Sequence, residues 1–503
     1  MSDFLIDEEL KQEFLDFFKN TDDFLIIDGG AGSGKTSALV WALNYCDQNN
    51  LTTNAVTYTG KASSIIREKS NGQYGQTIHL FLYKYDYDVD EDSFEPGEPQ
   101  RVRRLIKNAV DVLFVDEASM LSKNVKGFKI DEDEKETFLM NELINLQCKN
   151  NSKKIVFIGD HRQLDPIEKE DHYDSEENTQ KYYNSESEEF RSTSKLFSDG
   201  LNENVLIHDF GLRGHSFYCS NNYRLNSTSE LYEMFAKLSA EITGKENIEF
   251  SPAEWITANF PHLVLHTEAA AFNWLKEKKE EVGWEETRVV SGFNQSVDEM
   301  NAKIRLNIEN LTGEVGEFQF DSTHPLMNLR NRHYLEIYNG DTFFIESVID
   351  ENFKRTNEEI DCDNHKICRD EKLESFKISK IRLNLKRLKG EFREALMMNE
   401  LIQLEIARRD LDDRYNKNFW YDFAHRHKHI EDKKNSNWYQ LLKEDEIMNT
   451  LLVVHAFTTT VHKAQGDEFK YVLVDLDNEQ FNMKWLYTAI TRAKKEVRFL
   501  YTL

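Results

Sequence analysis

The sequence predicts an α/β protein built on doubly wound parallel sheets, and three observations carry that expectation. Apolar runs of four residues recur at Phe24-Leu25-Ile26-Ile27, Val112-Leu113-Phe114-Val115 and Ile155-Val156-Phe157-Ile158, the length and character of buried parallel strands. Each run leads straight into glycine or charged residues, as in open sheets whose ligand chemistry lies beyond the carboxyl ends of the strands. A helix-compatible segment, Ser37 to Tyr45, follows soon after the first run, as a strand–loop–helix unit requires.

The first run ends in Gly29-Gly30-Ala31-Gly32-Ser33-Gly34-Lys35-Thr36, which satisfies G-x-x-x-x-G-K-[ST] in full between a strand and a helix. Its glycines let backbone N–H groups curl around phosphates at a helix N-terminus, where the partial positive charge favours anions. Lys35 is expected to reach the β- and γ-phosphates of ATP, and the Thr36 hydroxyl to hold Mg2+. The second run delivers Asp116 and Glu117. Asp116 suits the positioning of Mg2+, and Glu117 the orientation or deprotonation of an attacking water. The third run enters Gly159-Asp160-His161-Arg162-Gln163-Leu164-Asp165-Pro166, where the uncharged amide of Gln163 can sense a γ-phosphate by hydrogen bonding.

The chain has 503 residues, enough for several domains with their own cores, and its 39% hydrophobic content is that of a folded protein. No stretch approaches the ~20 apolar residues of a membrane span, so no membrane association is expected. The opening MSDFLIDEEL is acidic and lacks a signal-peptide layout, and five scattered cysteines suit a reducing compartment. A cytoplasmic protein is therefore expected. A net charge of −27 argues against uniform affinity for nucleic acid, although a motor needs only a local basic track.

Further motifs give these blocks a family context. Thr460-Val461-His462-Lys463-Ala464-Gln465-Gly466 resembles motif V of superfamily 1 helicases, and Leu486-Tyr487-Thr488-Ala489-Ile490-Thr491-Arg492-Ala493 resembles motif VI. Details are closer to the RecD/Dda branch, superfamily 1B, than to the UvrD/Rep branch. Tyr58-Thr59-Gly60-Lys61-Ala62 is similar to that branch's motif Ia, Thr77-Ile78-His79 to motif Ib, and Asn222-Tyr223-Arg224-Leu225-Asn226 to motif IV. Phe293-Asn294-Gln295 through Asn301 is similar to the segment that follows.

The resemblance implies two RecA-like P-loop domains with ATP between them. Lys35, Thr36, Asp116, Glu117 and Gln163 would sit on the first, while Arg224 and Arg492 would come from the second to stabilise charge on the transferred phosphoryl group. Gln465 and Gly466 would join the nucleotide site, and Gln12 is the candidate for the family's adenine-contacting glutamine. Residues 1–215 would form the first domain, with a hairpin insertion at about 83–100; residues 216–336 and 450–503 would form the second. An SH3-like barrel with a helical tower would occupy 337–449. Within it, Phe392, Ala395, Leu396, Ile402 and Ile406 are spaced for one face of a helix over Glu391 to Asp412. The acidic run Glu168 to Glu189 reads as a solvated insertion, and Cys362-x-x-His365-x-x-Cys368 lacks the second ligand pair of a zinc finger.

Single-strand binding needs phosphate contacts along a groove and aromatic faces for stacking. The family-matched phosphate contacts are Thr59, Lys61, Thr77 and His79, with Thr460, His462 and Lys463. Phe94, the aromatic nearest the Pro96-Gly97 turn, is the expected strand-separating wedge. The expected function is an ATP-dependent, 5′→3′ helicase acting as a monomer on single-stranded and forked DNA. An RNA-directed motor of the same branch and a RecD-like motor subunit are the alternatives; the lack of an appended nuclease motif favours a stand-alone enzyme.

Overall fold

A six-stranded parallel sheet organises the first of two compact units, which takes in residues 1–86 and 101–244. In this computed structural model the described residues are 6–85, 101–103, 109–123, 138–165, 199–225, 227–244, 251–311, 321–332, 334–335, 337–355, 377–385, 392–398, 419, 422–423, 425–427, 441, 444–477 and 482–502. The strands of the first unit are β1 (Phe24–Gly29), β2 (Thr53–Thr57), β3 (Gln76–Thr77), β4 (Tyr83–Tyr85), β5 (Arg101–Arg103), β6 (Val112–Asp116), β7 (Lys154–Gly159) and β8 (Gly214–Cys219). Its helices are α1 (Glu8–Lys19), α2 (Lys35–Gln48), α3 (Gly60–Lys69), α4 (Ile78–Leu82), α5 (Leu139–Ile144) and α6 (Glu230–Gly244).

The sheet order is β3-β2-β6-β7-β1-β8, with every neighbouring pair parallel. The three apolar runs become β1, β6 and β7, side by side in its centre, because both faces are covered. Leu10, Phe14 and Phe17 of α1 pack with Leu39 and Leu43 of α2 on one face. Ile78 of α4 and Leu143 and Ile144 of α5 pack on the other. At the edge, β8 pairs with β1 along its whole length, from Phe24↔Gly214 to Gly29↔Cys219. Gly214 permits that approach: a Cβ there would lie 2.1 Å from the Phe24 carbonyl oxygen. The domain boundary expected after residue 215 therefore falls inside a strand, and the unit continues through α6 to Gly244. Strands β4 and β5, which flank residues 86–100, are antiparallel, with Tyr85 opposite Arg101.

The second unit includes residues 245–503 and holds two sheets. Its elements are α7 (Pro252–Asn259), β9 (Val264–Leu265), α8 (Glu268–Val282), β10 (Thr287–Ser291), α9 (Asn294–Asn307), β11 (Leu326–Asn328), β12 (Thr342–Arg355), β13 (Lys377–Leu385), β14 (Phe392–Met398), β15 (Val453–His455), β16 (Thr458–Thr460), β17 (Phe469–Asp475), α10 (Met483–Ile490) and β18 (Ala493–Leu500). Strands β16-β10-β17-β18-β9 form a parallel sheet, and β14-β13-β12-β11-β15 an antiparallel one.

Two sequence expectations are corrected here. The antiparallel sheet begins at Leu326 and includes Val453–His455, so it reaches beyond 337–449 on both sides. The chain crosses from one sheet to the other over Ala456 and Phe457 alone. Phe392 to Met398 is a strand and not the start of a helix. Ala395 and Met397 enter one core and Leu396 and Met398 another, so the apolar run is buried on both faces of a sheet. Phe94, Tyr87, residues 168–189, Cys362, His365, Cys368, Ile402 and Ile406 lie outside the described residues. Among those described, no helix is long and apolar enough to cross a membrane.

Candidate nucleotide-binding and motor site

In the first unit, the expected nucleotide residues gather beyond the carboxyl ends of the parallel strands. The loop after β1 turns through Gly32 and Gly34, at φ +82° and +85°, a region costly for other residues. Gly34 is also the N-cap of α2 and provides no side-chain hydrogen bond there, leaving the helix's first N–H groups to a ligand. Lys35 folds back on the loop, donating to the carbonyls of Gly29 and Gly30 and lying 3.4 Å from the Ser33 hydroxyl. Uncapped N–H groups and a mobile cation beside a glycine cradle fit a polyphosphate.

Asp116 ends β6 opposite Thr57 of β2. Burial pushes its carboxyl up, against the pull of the Glu117 N–H at 3.0 Å and of the Lys35 charge. Thr36, in the first turn of α2, and Asp116 form an oxygen donor set of the kind hard cations take, so they would hold Mg2+. Glu117 adopts a left-handed backbone, φ 54° and ψ 40°, at the sharp exit from β6.

After β7 the Gln163 loop is fastened on both sides. The His161 N–H donates to Asp28 at 3.2 Å, and the His161 ring meets the same carboxylate. Burial alone would raise Asp28, but the His161 bonds and the charges of His161 and Arg162 outweigh it and hold the carboxyl below its usual range. Arg162 Nε donates to Asp160 Oδ1 at 2.8 Å. Gln163 itself is buried, its N–H bonded to the Asp160 carbonyl at 3.1 Å.

Motif IV is relocated. The Asn222 amide donates to the Ala31 carbonyl at 3.1 Å, the Tyr223 N–H donates to Gly32, and Asn222 Oδ1 accepts the N–H groups of Arg224 and Leu225. A Cβ on Gly32 would lie 2.6 Å from the Arg224 Cβ. Arg224 thus belongs to the first unit, where it lines the phosphate loop, and is not supplied by the second. Gln12 is exposed on α1 and donates to Asp16 at 2.9 Å. It sits off the helix's buried face of Leu10, Phe14 and Phe17.

Thr77 ends β3, paired with Thr57 at the end of β2, and Thr59 follows two residues after that strand. Both hydroxyls act as helix caps, Thr59 for Ala62 and Thr77 for Leu80. The His79 ring stands edge-on to Tyr58 at 6.1 Å. Lys61, expected to face phosphates, is buried at 7% exposure, as is Thr460.

In the second unit, Thr460 ends β16 and its hydroxyl accepts the Lys463 N–H at 3.3 Å. Burial pushes the His462 ring down to about 4. Gly466 turns at φ +82°, and Gln465 keeps a buried amide nitrogen with no hydrogen-bond partner among the described residues. Arg492 is 5% exposed and donates to the carbonyls of Thr488, Ala464 and Asp467, linking motifs V and VI. Asp28, Asn222 as a lacing residue and the Arg162 contacts were not foreseen. Only Asp28, an acid directly before a phosphate loop, carried any local signal.

A model of the AAA domain family matches residues 9–184, and one of the UvrD-like helicase C-terminal domain matches residues 455–500. No curated protein sequence matches the chain. Among solved structures it is similar to Pif1 helicase from Candida albicans, at 14% identity over 99% of this chain and 94% of that one, with a TM-score of 0.51. It is also similar to Pif1 helicase from Bacteroides in complex with ADP-AlF3 and ssDNA, at 14% identity over 99% and 92%, with a TM-score of 0.50. The ATPase domain followed by a helicase C-terminal domain, in a chain with a parallel sheet in each of its two units, defines an ATP-hydrolysing P-loop helicase. Over residues 9–184 and 455–500 the chain carries these two domains, and its fold is similar to that of the Pif1 helicases.

Proposed function

We propose that this helicase translocates 5′→3′ along single-stranded DNA and unwinds duplex ahead of it. The observation that carries the reading is the convergence of the phosphate loop, Asp116-Glu117 and the Gln163 loop beyond one parallel sheet, joined to a UvrD-like C-terminal domain. Lys35 and Arg224 bind the phosphates, Glu117 orients the attacking water, Gln163 reads the γ-phosphate, and Arg492 stabilises charge developing on the transferred group. Mg2+, held by Thr36 and Asp116, would supply charge neutralisation at the phosphates when bound.

DNA as the track is supported by the Bacteroides Pif1 structure, whose complex contains ssDNA. Thr59, Lys61, Thr77, His79, Thr460, His462 and Lys463 are the phosphate contacts in this reading. Residues 337–449, which contribute β12 to β14 of the antiparallel sheet, correspond in it to the SH3-like barrel and helical tower. Polarity rests on family resemblance. ATP hydrolysis stimulated by single-stranded DNA more than by RNA of equal length, with unwinding of 5′-tailed but not 3′-tailed duplex, is the expected result. Stimulation by RNA alone would make the track RNA, and preference for the 3′ tail would reverse the polarity.

A further inference from the structure

We propose that Arg162 is a positioning residue that couples the γ-phosphate-sensing loop to helix α6, the last described element before the chain enters the second unit. The inference rests on the reading of Gln163 as sensor, and its geometry lies wholly within the first unit. One guanidinium makes three attachments. Nε donates to Asp160 Oδ1 at 2.8 Å, and Nη1 donates to the Tyr218 hydroxyl at 2.7 Å and to the Ser239 hydroxyl at 2.7 Å. The guanidinium carbon also lies 5.5 Å from the centre of the Tyr218 ring. Tyr218 is on β8 and Ser239 is on α6.

Arg162 is the immediate neighbour of Gln163, in a turn closed by the Arg162 N–H to Asp160 Oδ1 and the Gln163 N–H to the Asp160 carbonyl. A shift of Gln163 on loss of the γ-phosphate must therefore shift Arg162 or break this turn. The Arg162 and Asp160 side chains are 4% and 0% exposed. Burying an ion pair brings little net stability, so its retention fits a role in holding one geometry. Lysine could not replace it, because a single ammonium lacks the planar fork that spans a carboxylate and two hydroxyls. On the opposite side of the same turn, His161 is attached to Asp28, immediately before the phosphate loop. Successive residues thus fasten the sensor to the nucleotide loop and to the departing helix. The relay needs two arrangements of one fastened element, and that is a claim about coupling which only a perturbation can test.

The test is amide hydrogen exchange across residues 230–244 with ADP and with ADP–aluminium fluoride, in the full chain and in Ser239→Ala, Ser239→Thr and Arg162→Lys. In the wild type, exchange in α6 should differ between the two nucleotides by about fivefold or more. Ser239→Ala should erase that difference while DNA-independent ATP hydrolysis stays within about twofold of wild type. Ser239→Thr, which keeps a hydroxyl, should restore it, and Arg162→Lys should behave like Ser239→Ala. An unchanged difference in Ser239→Ala, or equal α6 exchange with both nucleotides in the wild type, would overturn the proposal. These readouts need no DNA, so a wild type that hydrolyses ATP without unwinding would defeat the helicase reading while leaving this one to be decided by exchange. As a second readout, Ser239→Ala should raise the ATP consumed per base pair unwound; an unchanged ratio also counts against the relay.

Discussion

The Tyr223 backbone N–H donates to the Gly32 carbonyl at 2.8 Å, lacing the segment after β8 to the phosphate loop of the same unit. Two arginines that look alike in the sequence thereby acquire different roles. Arg224 follows Tyr223 beside Gly32 of the phosphate loop, which in the proposed reading makes it part of the ground-state cradle, whereas Arg492 is held in the second unit by carbonyls of motifs V and VI.

Arg224→Ala should therefore weaken nucleotide binding on the order of tenfold, as loss of a charged hydrogen-bonding partner does, and lower kcat as well. Arg492→Gln should leave nucleotide affinity nearly unchanged and depress kcat on the order of 10³-fold. Equilibrium binding of a fluorescent ADP, beside steady-state kinetics, separates the two. Equal effects on affinity from both variants would remove the distinction.

Turnover should depend on Lys35 and Glu117 for different reasons. Lys35→Ala removes the cation now parked on the Gly29 and Gly30 carbonyls and should abolish DNA-stimulated hydrolysis. Glu117→Gln should bind ATP and fail at the chemical step. Glu117→Gly adds a further check, because the native φ of 54° is unfavourable for any side chain by ~1–2 kcal/mol. That variant should lose turnover yet melt no lower than wild type. A lower melting temperature would show that the Glu117 side chain also holds the fold.

Acid should destabilise the second unit in two stages. Burial pushes His455 down to about 3, aided by the nearby charges of Arg305 and His324, and pushes His462 down to about 4. Both folded values lie below the ordinary 6.5, so the unfolded chain takes up protons first. Their contribution is complete above pH 6.5 and is lost as pH falls from 6.5 towards 4 and 3. Glu309 would be raised by burial, but bonds from His324, Trp284 and Lys279 outweigh it and bring the carboxyl to about 2. That contribution is present above pH 4.5 and is lost only as pH falls from there towards 2. Melting followed by the buried Trp284 should show the first decline starting near pH 6.5, worth a few kcal/mol in order of magnitude. His455→Gln should reduce it to the share of His462 without touching the second stage, and an identical profile in that variant would refute the assignment.

The legible parts of this molecule were those where local pattern and global burial agree. β1, β6 and β7 are central strands buried on both faces, so each reads as an unbroken apolar run ending in its functional residues. β8 hid because edge position gives it a mixed burial pattern, Gly-His-Ser-Phe-Tyr-Cys, and the domain boundary was misplaced with it. Phe392 to Met398 hid for another reason: its apolar part, Ala395 to Met398, is buried on both faces and offers no alternation, and the apolar spacing of the segment also satisfies a helix. At the site, residue types named the phosphate loop and Asp116-Glu117. They could not reveal contacts spanning 133 residues, from Asp28 to His161, or 191, from Ala31 to Asn222, because such pairings are set by strand order alone.

The last expectation concerns the hairpin whose base is β4 and β5. Tyr83 pairs with Arg103, Lys84 with Val102 and Tyr85 with Arg101, so the two strands leave the first unit in antiparallel register. Two residues placed directly opposite can be joined by a two-residue turn, and Asn-Gly favours the type I′ geometry whose twist matches the strands. Replacing residues 86–100 by Asn-Gly should therefore preserve the base and remove everything beyond it, including Phe94. If that segment carries the wedge, DNA-stimulated ATP hydrolysis and translocation on single strands should remain within about twofold. Unwinding of a 5′-tailed fork should be lost, because no aromatic face remains to stack on the opened pair, a contact worth ~1–3 kcal/mol per base. Phe94→Ala in the full-length chain should reproduce most of that loss. Unwinding that survives the replacement would place strand separation elsewhere in the molecule, and parallel loss of all three activities would make the segment part of the fold.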